Sequence, residues 1–336
     1  MKTKVKAEAN FSKETYLHWY EKMLLMRRFE EKVSQLYGQQ KIKGFCHLYS
    51  GQEACVVGAV TALEKDDKYI TAYRDHVHPI ALGTEAKYIM AELFAKATGI
   101  SKGRGGSMHM FDKEKNFFGG HGIVGGQIPL GVGIAFAEKY KKTKNLCVTF
   151  MGDGAVRQGA FHESLNLAMH YQLPIIFAIE NNGYAMGTSV ENTSNVTELY
   201  KLGAAYAMPA ATVEAMSVEN VHTAFVEAGS KIRKGGVPHL LELKTYRYKG
   251  HSMSDPGQYR TKEEVEKYRQ EDPVKHVLTT ILKKKIATEA EIGKIDENVK
   301  KQIAAAVIFA EQADFPKAEE ADKEVYAQKD YPFLTN

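Results

Sequence analysis

The sequence predicts an α/β fold: a parallel sheet with helices on both faces and helical extensions at the N- and C-termini. Three observations carry this. Asn145 to Met151, with Leu146, Val148 and Phe150, reads as a buried strand, Gln158 to Tyr171 has helical periodicity, and Pro174 to Glu180 is a second short apolar run. Strand, helix and returning strand of this size form a βαβ unit, and strands joined by such a crossover run parallel.

From the start, Tyr16, Leu17, Tyr20, Met23, Leu24 and Leu36 recur at helical spacing between Lys13 and Gly38, with charged residues between them and a closing glycine. That pattern opens the chain with an amphipathic helix. Tyr69 to Tyr73 is strand-like, a helix is expected from Tyr88 to Ala97, and the stretch from Gly99 to Gly133 is dense in glycine. Glycines at that density let backbone lie close against something. Leu240 to Leu243 is a further strand candidate, and a polar loop runs from Tyr246 to Arg260. Beyond it the pattern is helical, with Thr261/Glu264 and Thr288/Glu291 spaced as capping boxes. Three regions follow: a helical extension over 1–40, an α/β domain over 41–260, and a helical region with a tail over 261–336. No repeat or low-complexity linker interrupts them.

Composition narrows the class. The chain has 336 residues, enough for a large core, and its 45 Lys+Arg against 41 Asp+Glu leave a net charge of +4. Short basic runs such as Lys283-Lys284-Lys285 sit beside acidic neighbours, which describes a solvated surface and not a nucleic-acid stripe. Cys46, Cys55 and Cys147 are far apart and form no CxxC pair, so neither a disulfide framework nor a zinc site is expected. No apolar run is long enough to cross a bilayer. The basic Met1-Lys2-Thr3-Lys4 start lacks an apolar core segment, and Glu8 and Glu14 follow it soon. The expectation is a cytoplasmic, unprocessed protein.

The chemistry concentrates at two strand ends. Gly152-Asp153-Gly154 follows the first strand of the βαβ unit and Glu180-Asn181-Asn182 ends the second. Ligands of open parallel sheets sit outside the carboxyl ends of strands, so both segments face one crevice. The Asp153 carboxylate, the Asn182 amide oxygen and backbone carbonyls beyond are hard oxygen donors of the kind magnesium takes. A magnesium ion fills the rest of its octahedron with phosphate oxygens and water, which implies a phosphorylated ligand, and the glycines around Asp153 let a helix N-terminus approach that anion. Taken singly, Gly-Asp-Gly is a common turn and Asn-Asn a common loop. The 26 residues from 155 to 180 that separate them accommodate one helix and one returning strand, and this joint placement favours a site.

This spacing resembles the thiamine diphosphate fingerprint, and longer segments narrow the likeness. Gly44 to Tyr49, Gly51-Gln52-Glu53-Ala54, Ile70 to Arg74, Gly105 to Met110, Gly122 to Gly125 and Tyr246 to Gly257 resemble the thiamine diphosphate-dependent 2-oxo acid dehydrogenase family, within it the alpha subunit of the pyruvate dehydrogenase decarboxylating component. The likeness runs from about Tyr20 to Tyr331-Pro332-Phe333. It implies Asp153, Asn182 and the Tyr184 carbonyl as magnesium ligands, Tyr73 and Arg74 as diphosphate contacts, and Gly122 and Val124 on the aminopyrimidine side. Gly154 and Ala155 would give main-chain bonds near the diphosphate, and His47 and His251 would be the two active-site histidines, near the diphosphate and the reacting substrate, with His251 also a cofactor contact. A guanidinium suits phosphate oxygens, which it can meet bidentately.

Each histidine also has a plain alternative: His47, between Phe45 and Tyr49, as a core residue, and His251 as a solvated loop residue. His76, His78, His121 and His162 fit no metal spacing and receive no role. The resemblance further implies oxidative decarboxylation of pyruvate, with the acetyl group passed to lipoyl on an acyltransferase. It also implies a beta subunit that supplies the pyrimidine half of the site in a two-alpha, two-beta heterotetramer. Acetoin or branched-chain 2-oxo acids remain rival substrates, and a catalytically silent thiamine diphosphate-binding scaffold is the reading from another class. Gly183 and Arg157 depart from the family's pattern, which often has a larger residue and a polar amide there. Only Gln258 stands between Gly257 and Tyr259, where mitochondrial relatives carry a phosphorylated serine; Ser252 matches their other site and is expected to go unphosphorylated.

Overall fold

A computed structural model describes residues 4–5 and 11–321. Met1 to Thr3, Glu8 and the Tyr331-Pro332-Phe333 end of the resemblance lie outside the described residues. In chain order the elements are β1 (Lys4–Val5), α1 (Lys13–Gly38), α2 (Glu53–Ala62), β2 (Lys68–Ala72), α3 (Val77–Ala81), α4 (Ala86–Leu93), β3 (Phe117–His121), α5 (Gln127–Tyr140), β4 (Cys147–Gly152), α6 (Gly159–His170) and β5 (Ile175–Asn181). There follow the hairpin strands β6 (Tyr184–Ala185) and β7 (Thr188–Ser189), then α7 (Val190–Thr193), β8 (Ala210–Glu214), α8 (Val218–Arg233), β9 (His239–Lys244), α9 (Lys262–Gln270), α10 (Pro273–Lys283) and α11 (Glu289–Gln312).

Seven strands form one sheet in the order β1-β8-β9-β5-β4-β2-β3, and every pairing is parallel. Because successive side chains alternate across a strand, the central strands feed two separate cores. Cys147, Met151, Ile175, Phe177 and Ile179 face one side, where Ile128, Val132 and Ala135 of α5 and Phe161 and Leu165 of α6 cover them. Val148, Phe150, Ile176, Ala178, Leu241 and Leu243 face the other, packed with α2, α8, α1 and the C-terminal helices α10 and α11. Gly131 lets α5 lie this close to β4, since a Cβ there would come within 1.9 Å of Thr149 Oγ1.

Local chemistry explains the helix starts. Ser12 caps α1 by accepting from the Thr15 amide, and Asp272 caps α10 with Pro273 in its first turn. Thr288 and Glu291 form the full capping box expected of them. The other expected box is only half present. The Thr261 hydroxyl accepts from the Glu264 amide, but the Glu264 carboxylate does not return to the cap and bonds the hydroxyls of Tyr184 and Tyr246. The helix expected from Tyr88 to Ala97 is also shorter: α4 ends at Leu93, and Ala95 turns to φ +55. The buried Glu92 carboxylate then collects the amides of Ser101, Gly103, Gly105 and Gly106 at 2.7–3.1 Å. The first glycines of the dense stretch are therefore held against a carboxylate of the chain itself.

Candidate active site

Three parallel strands deliver their carboxyl ends to one place. β2 leads into Tyr73 and Arg74, β4 into Asp153, Gly154 and Ala155, and β5 into Asn182 and Tyr184, with Gly152 and Glu180 in register across β4 and β5. A cavity of about 240 Å³ opens there, lined by all seven of these residues and by Val124 and His251. Gly122 lies two residues upstream of Val124 and is not on the lining; a Cβ at Gly122 would meet the His109 ring at 3.2 Å. His47 is not on the lining either. Its ring sits behind Tyr73 and His251, with centroids 4.6 and 5.1 Å away, and the Tyr73 and His251 rings are 5.5 Å apart.

The segment carrying His47 has no regular structure, so its neighbours fix it. The His47 amide donates to Ser107 Oγ, Arg74 donates to the Leu48 carbonyl at 2.6 Å, and the Met253 amide donates to the Cys46 carbonyl at 2.8 Å. The last of these joins the His47 segment to the loop of His251. That loop is pinned in turn: the His251 carbonyl accepts from Arg74, and Asp255 accepts from the His251 and Gly257 amides.

The cavity lining sets two buried guanidiniums beside two buried carboxyl groups, Asp153 and Glu180. Arg74 and Arg247 are both buried on the cavity lining, and among the described residues neither forms a salt bridge. Their guanidinium groups donate to neutral oxygens instead: Arg74 to the Leu48 and His251 carbonyls, and Arg247 to the Tyr184, Met186 and Lys249 carbonyls and the Tyr259 hydroxyl. Burial and the neighbouring Arg247 bring Arg74 down to about 10. Burial, followed by the charge of Arg74, holds His47 at about 3 and His251 at about 4, so both imidazoles are neutral at neutral pH. Burial also raises Asp153 to about 6, against hydrogen bonds from backbone amides and the pull of Arg247. Two guanidiniums without salt-bridge partners around a cavity make an anion site, and a buried carboxylate beside them, its charged form disfavoured by burial, is suited to meet a cation.

The dehydrogenase E1 component family model matches residues 21–319. This chain belongs to that family. Among similar proteins, the pyruvate dehydrogenase E1 component subunit alpha of Rickettsia felis is 50% identical over 315 residues, 94% of this chain and 97% of that one. The protein of the same description from Rhizobium meliloti is 50% identical over 313 residues, 93% of this chain and 90% of its own. The mitochondrial one from Dictyostelium discoideum is 46% identical over 320 residues, 95% and 84% respectively.

Membership of the dehydrogenase E1 component family implies thiamine diphosphate, and the cavity suits its diphosphate end: Arg74 and Arg247 supply fixed positive charge, and the turn at Gly154 and Ala155 is free of bulky side chains. Among the described residues no group of three His, Cys, Asp or Glu side chains could hold a metal by itself. A cation beside Asp153 would rely on the Asn182 amide oxygen, the Tyr184 carbonyl and phosphate oxygens.

Several lining residues received no role of their own in the sequence reading. Gln52 lines the cavity and accepts from the Asn182 amide, which orients that side chain at 3.0 Å. Glu180, raised to about 7 by burial, also lines it and accepts from the Tyr49 hydroxyl. Arg247 stands between two tyrosines just past a strand, and Glu180 ends an all-apolar one; a charge in such company is a usable signal of a buried site. At Gly183 the backbone takes φ +86, so the glycine that departs from the family pattern suits its conformation. Arg157, the other departure, is exposed and off the lining.

Proposed function

We propose that this chain is the alpha subunit of a pyruvate dehydrogenase (acetyl-transferring) and holds the diphosphate half of its active site. The convergence of Asp153, Asn182 and Tyr184 with two unpaired buried guanidiniums in one cavity carries the reading. Kinship with pyruvate dehydrogenase alpha subunits at 50% identity supports the choice of substrate. In this reading Arg74 and Arg247 hold the diphosphate, and Asp153, Asn182 and the Tyr184 carbonyl hold magnesium. Thiamine diphosphate, when bound, supplies the electron sink for decarboxylating a 2-oxo acid. Tyr73 and the main chain at Gly154 and Ala155 orient it, while Gly122 and Val124 face its pyrimidine. His251, neutral and on the cavity lining, exchanges protons with the substrate oxygen through its ring nitrogens; His47, in ring contact behind it and with Nδ1 lacking a hydrogen-bond partner among the described residues, backs that role.

The cavity is open on an apolar side, where Val124 and Met186 line it yet stay 43% and 65% exposed, and Ile123 beside them is 78% exposed. Such a rim supports a covering partner, and the reading assigns that place to a beta subunit bearing the pyrimidine domain, in a two-alpha, two-beta heterotetramer served by a lipoyl-bearing acyltransferase. A cytoplasmic location belongs to the same reading, which the three free, buried cysteines support. The test is steady-state turnover with magnesium, thiamine diphosphate and a lipoyl acceptor by the chain alone and with its beta subunit, on pyruvate, 2-oxoisovalerate and acetoin. Activity with both chains and preference for pyruvate are expected. Turnover by the solitary chain would refute the shared site, and preference for either rival would replace the substrate.

A further inference from the structure

Helix α9 sits on the protein without a core of its own, since none of its residues is buried. A helix that buries no apolar stripe must be held by other contacts. Those found here point to the segments that carry the cofactor cavity. The Glu264 carboxylate accepts from the Tyr184 hydroxyl at 3.0 Å with one oxygen and from the Tyr246 hydroxyl at 2.8 Å with the other. Tyr268 stacks on Tyr246 with ring centroids 3.9 Å apart and planes 7° from parallel. Just before the helix, the Arg260 guanidinium lies 5.8 and 5.2 Å from the ring centroids of Tyr184 and Tyr246.

Tyr184 is the residue that most needs such support. It stands in a hairpin with only two residue pairs, Tyr184 with Ser189 and Ala185 with Thr188. A two-stranded ribbon that short does not hold itself in water. On the cavity side the Tyr184 carbonyl has Arg247 Nη1 at 3.5 Å, the outer edge of hydrogen-bond range, and its amide donates to Asn182 Oδ1 at 3.3 Å. Both are long. The phenol bond to Glu264, made from outside the cavity, is the shorter anchor of this residue, and its acceptor is a carboxylate rather than a neutral oxygen.

We infer that Glu264 is a positioning residue for the metal: by gripping the Tyr184 and Tyr246 phenols it sets the short hairpin so that the Tyr184 carbonyl faces the cation. The inference rests on the proposed magnesium site. It also accounts for the half-made capping box, because the carboxylate that would have closed α9 at its own cap is committed to Tyr184. Outer partners of metal ligands commonly govern metal affinity by 10-fold or more, roughly.

The test is calorimetric titration of magnesium into the full chain co-purified with its beta subunit, at saturating thiamine diphosphate, alongside melting of the cofactor-free protein. Glu264→Ala and Tyr184→Phe should each raise half-saturating magnesium on the order of tenfold. The double variant should be no worse than Glu264→Ala alone, because that variant has already lost the Tyr184 contact. Glu264→Gln, which keeps an acceptor but loses the charge, should fall between. Melting without cofactor should fall only slightly below that of Glu263→Ala, an exposed neighbour, because two partly buried hydrogen bonds are lost. Unchanged magnesium affinity in folded Glu264→Ala, or a lowered melting temperature with affinity intact, overturns the inference; should that variant fail to fold, unchanged affinity in Tyr184→Phe does so. Asp153→Ala run in parallel separates the two levels. If it abolishes magnesium binding while Glu264→Ala leaves the affinity unchanged, only the positioning role falls; if Asp153→Ala too binds magnesium normally, the metal site itself is wrong and both fall.

Discussion

Replacing Arg74 by methionine sets two opposed effects against each other, and their sizes can be compared. The guanidinium is held well below its ordinary 12.5, at about 10, by burial and by Arg247. At 1.36 kcal/mol per pKa unit, that charge costs the cofactor-free protein about 3 kcal/mol. Removing it also removes two charged bonds, to the Leu48 and His251 carbonyls at 2.6 and 2.9 Å, worth about 3–6 kcal/mol together. The burial term offsets at least half of that, so Arg74→Met should lower cofactor-free stability by no more than about 3 kcal/mol. The holoprotein has no such compensation, because a phosphate contact worth about 1.5–3 kcal/mol is lost outright, which corresponds to roughly 10- to 150-fold in affinity. Urea unfolding of the cofactor-free protein and calorimetric titration with thiamine diphosphate read the two quantities separately. Affinity within about twofold of the unaltered protein would show that Arg74 does not meet the diphosphate. A loss beyond about 3 kcal/mol in the urea series would show that the burial term does not offset its carbonyl bonds. Arg74→Lys keeps the charge without the planar fork and should land between the two in affinity.

Two further outcomes follow from the same geometry. His251→Ala should lower turnover on pyruvate far more than thiamine diphosphate affinity, because Arg74 bonds the His251 carbonyl, which alanine retains; steady-state assay beside calorimetry decides it, and unchanged turnover removes His251 from the chemistry. His78 is buried among Tyr49, Phe117 and Phe150 with both ring nitrogens unpartnered, and burial holds it at about 3 against an ordinary 6.5. Its folded pKa is the lower one, so its contribution is intact above 6.5 and lost as pH falls toward 3, reaching about 2 kcal/mol near pH 5. In His78→Phe the loss of stability between about pH 7.5 and pH 5 should shrink by roughly that amount in urea titrations; an equal loss in both proteins would mean that His78 does not titrate on unfolding.

How much of this was legible depended on how local the cause was. Helix α1 appears over Lys13–Gly38 as expected, and β4, α6 and β5 match within a residue or two, because each is a run whose periodicity is self-contained. Asp153 and Asn182 were legible because two short motifs lie at the ends of adjacent strands, where topology alone brings them together. Strand β3 and helix α5 were hidden inside the glycine-dense stretch, which read as backbone waiting for a ligand. Part of that stretch answers to Glu92, a carboxylate on α4 whose four amide partners no spacing rule announces. Gln52, Arg247 and Glu264 were missed for the same reason. Each acts across a long span of sequence, as Glu264 does on Tyr184 and Gln52 on Asn182. Their side chains are ordinary in type, and only the folded chain places them.

The cavity's charge also bears on when its histidines can work. Burial is the first cause of the low pKa values of His47 and His251, and the second is Arg74, which forms no salt bridge among the described residues. A diphosphate held between Arg74 and Arg247 would cancel that second cause and leave the first in place. Both histidines should therefore move part of the way back toward 6.5 when the cofactor binds, His251 by about one unit because its ring lies on the cavity lining. By linkage, protonating His251 must then strengthen diphosphate binding to the same degree, so occupancy of the site and the ability to pass a proton rise together. Nuclear magnetic resonance of histidine-labelled protein, titrated with and without magnesium and thiamine diphosphate, reads the His251 midpoint in both states, with His251→Ala assigning the signal. A midpoint that stays near 4 with the cofactor bound would mean that the diphosphate does not neutralise Arg74, and the anion site would have to be sought around Arg247 alone.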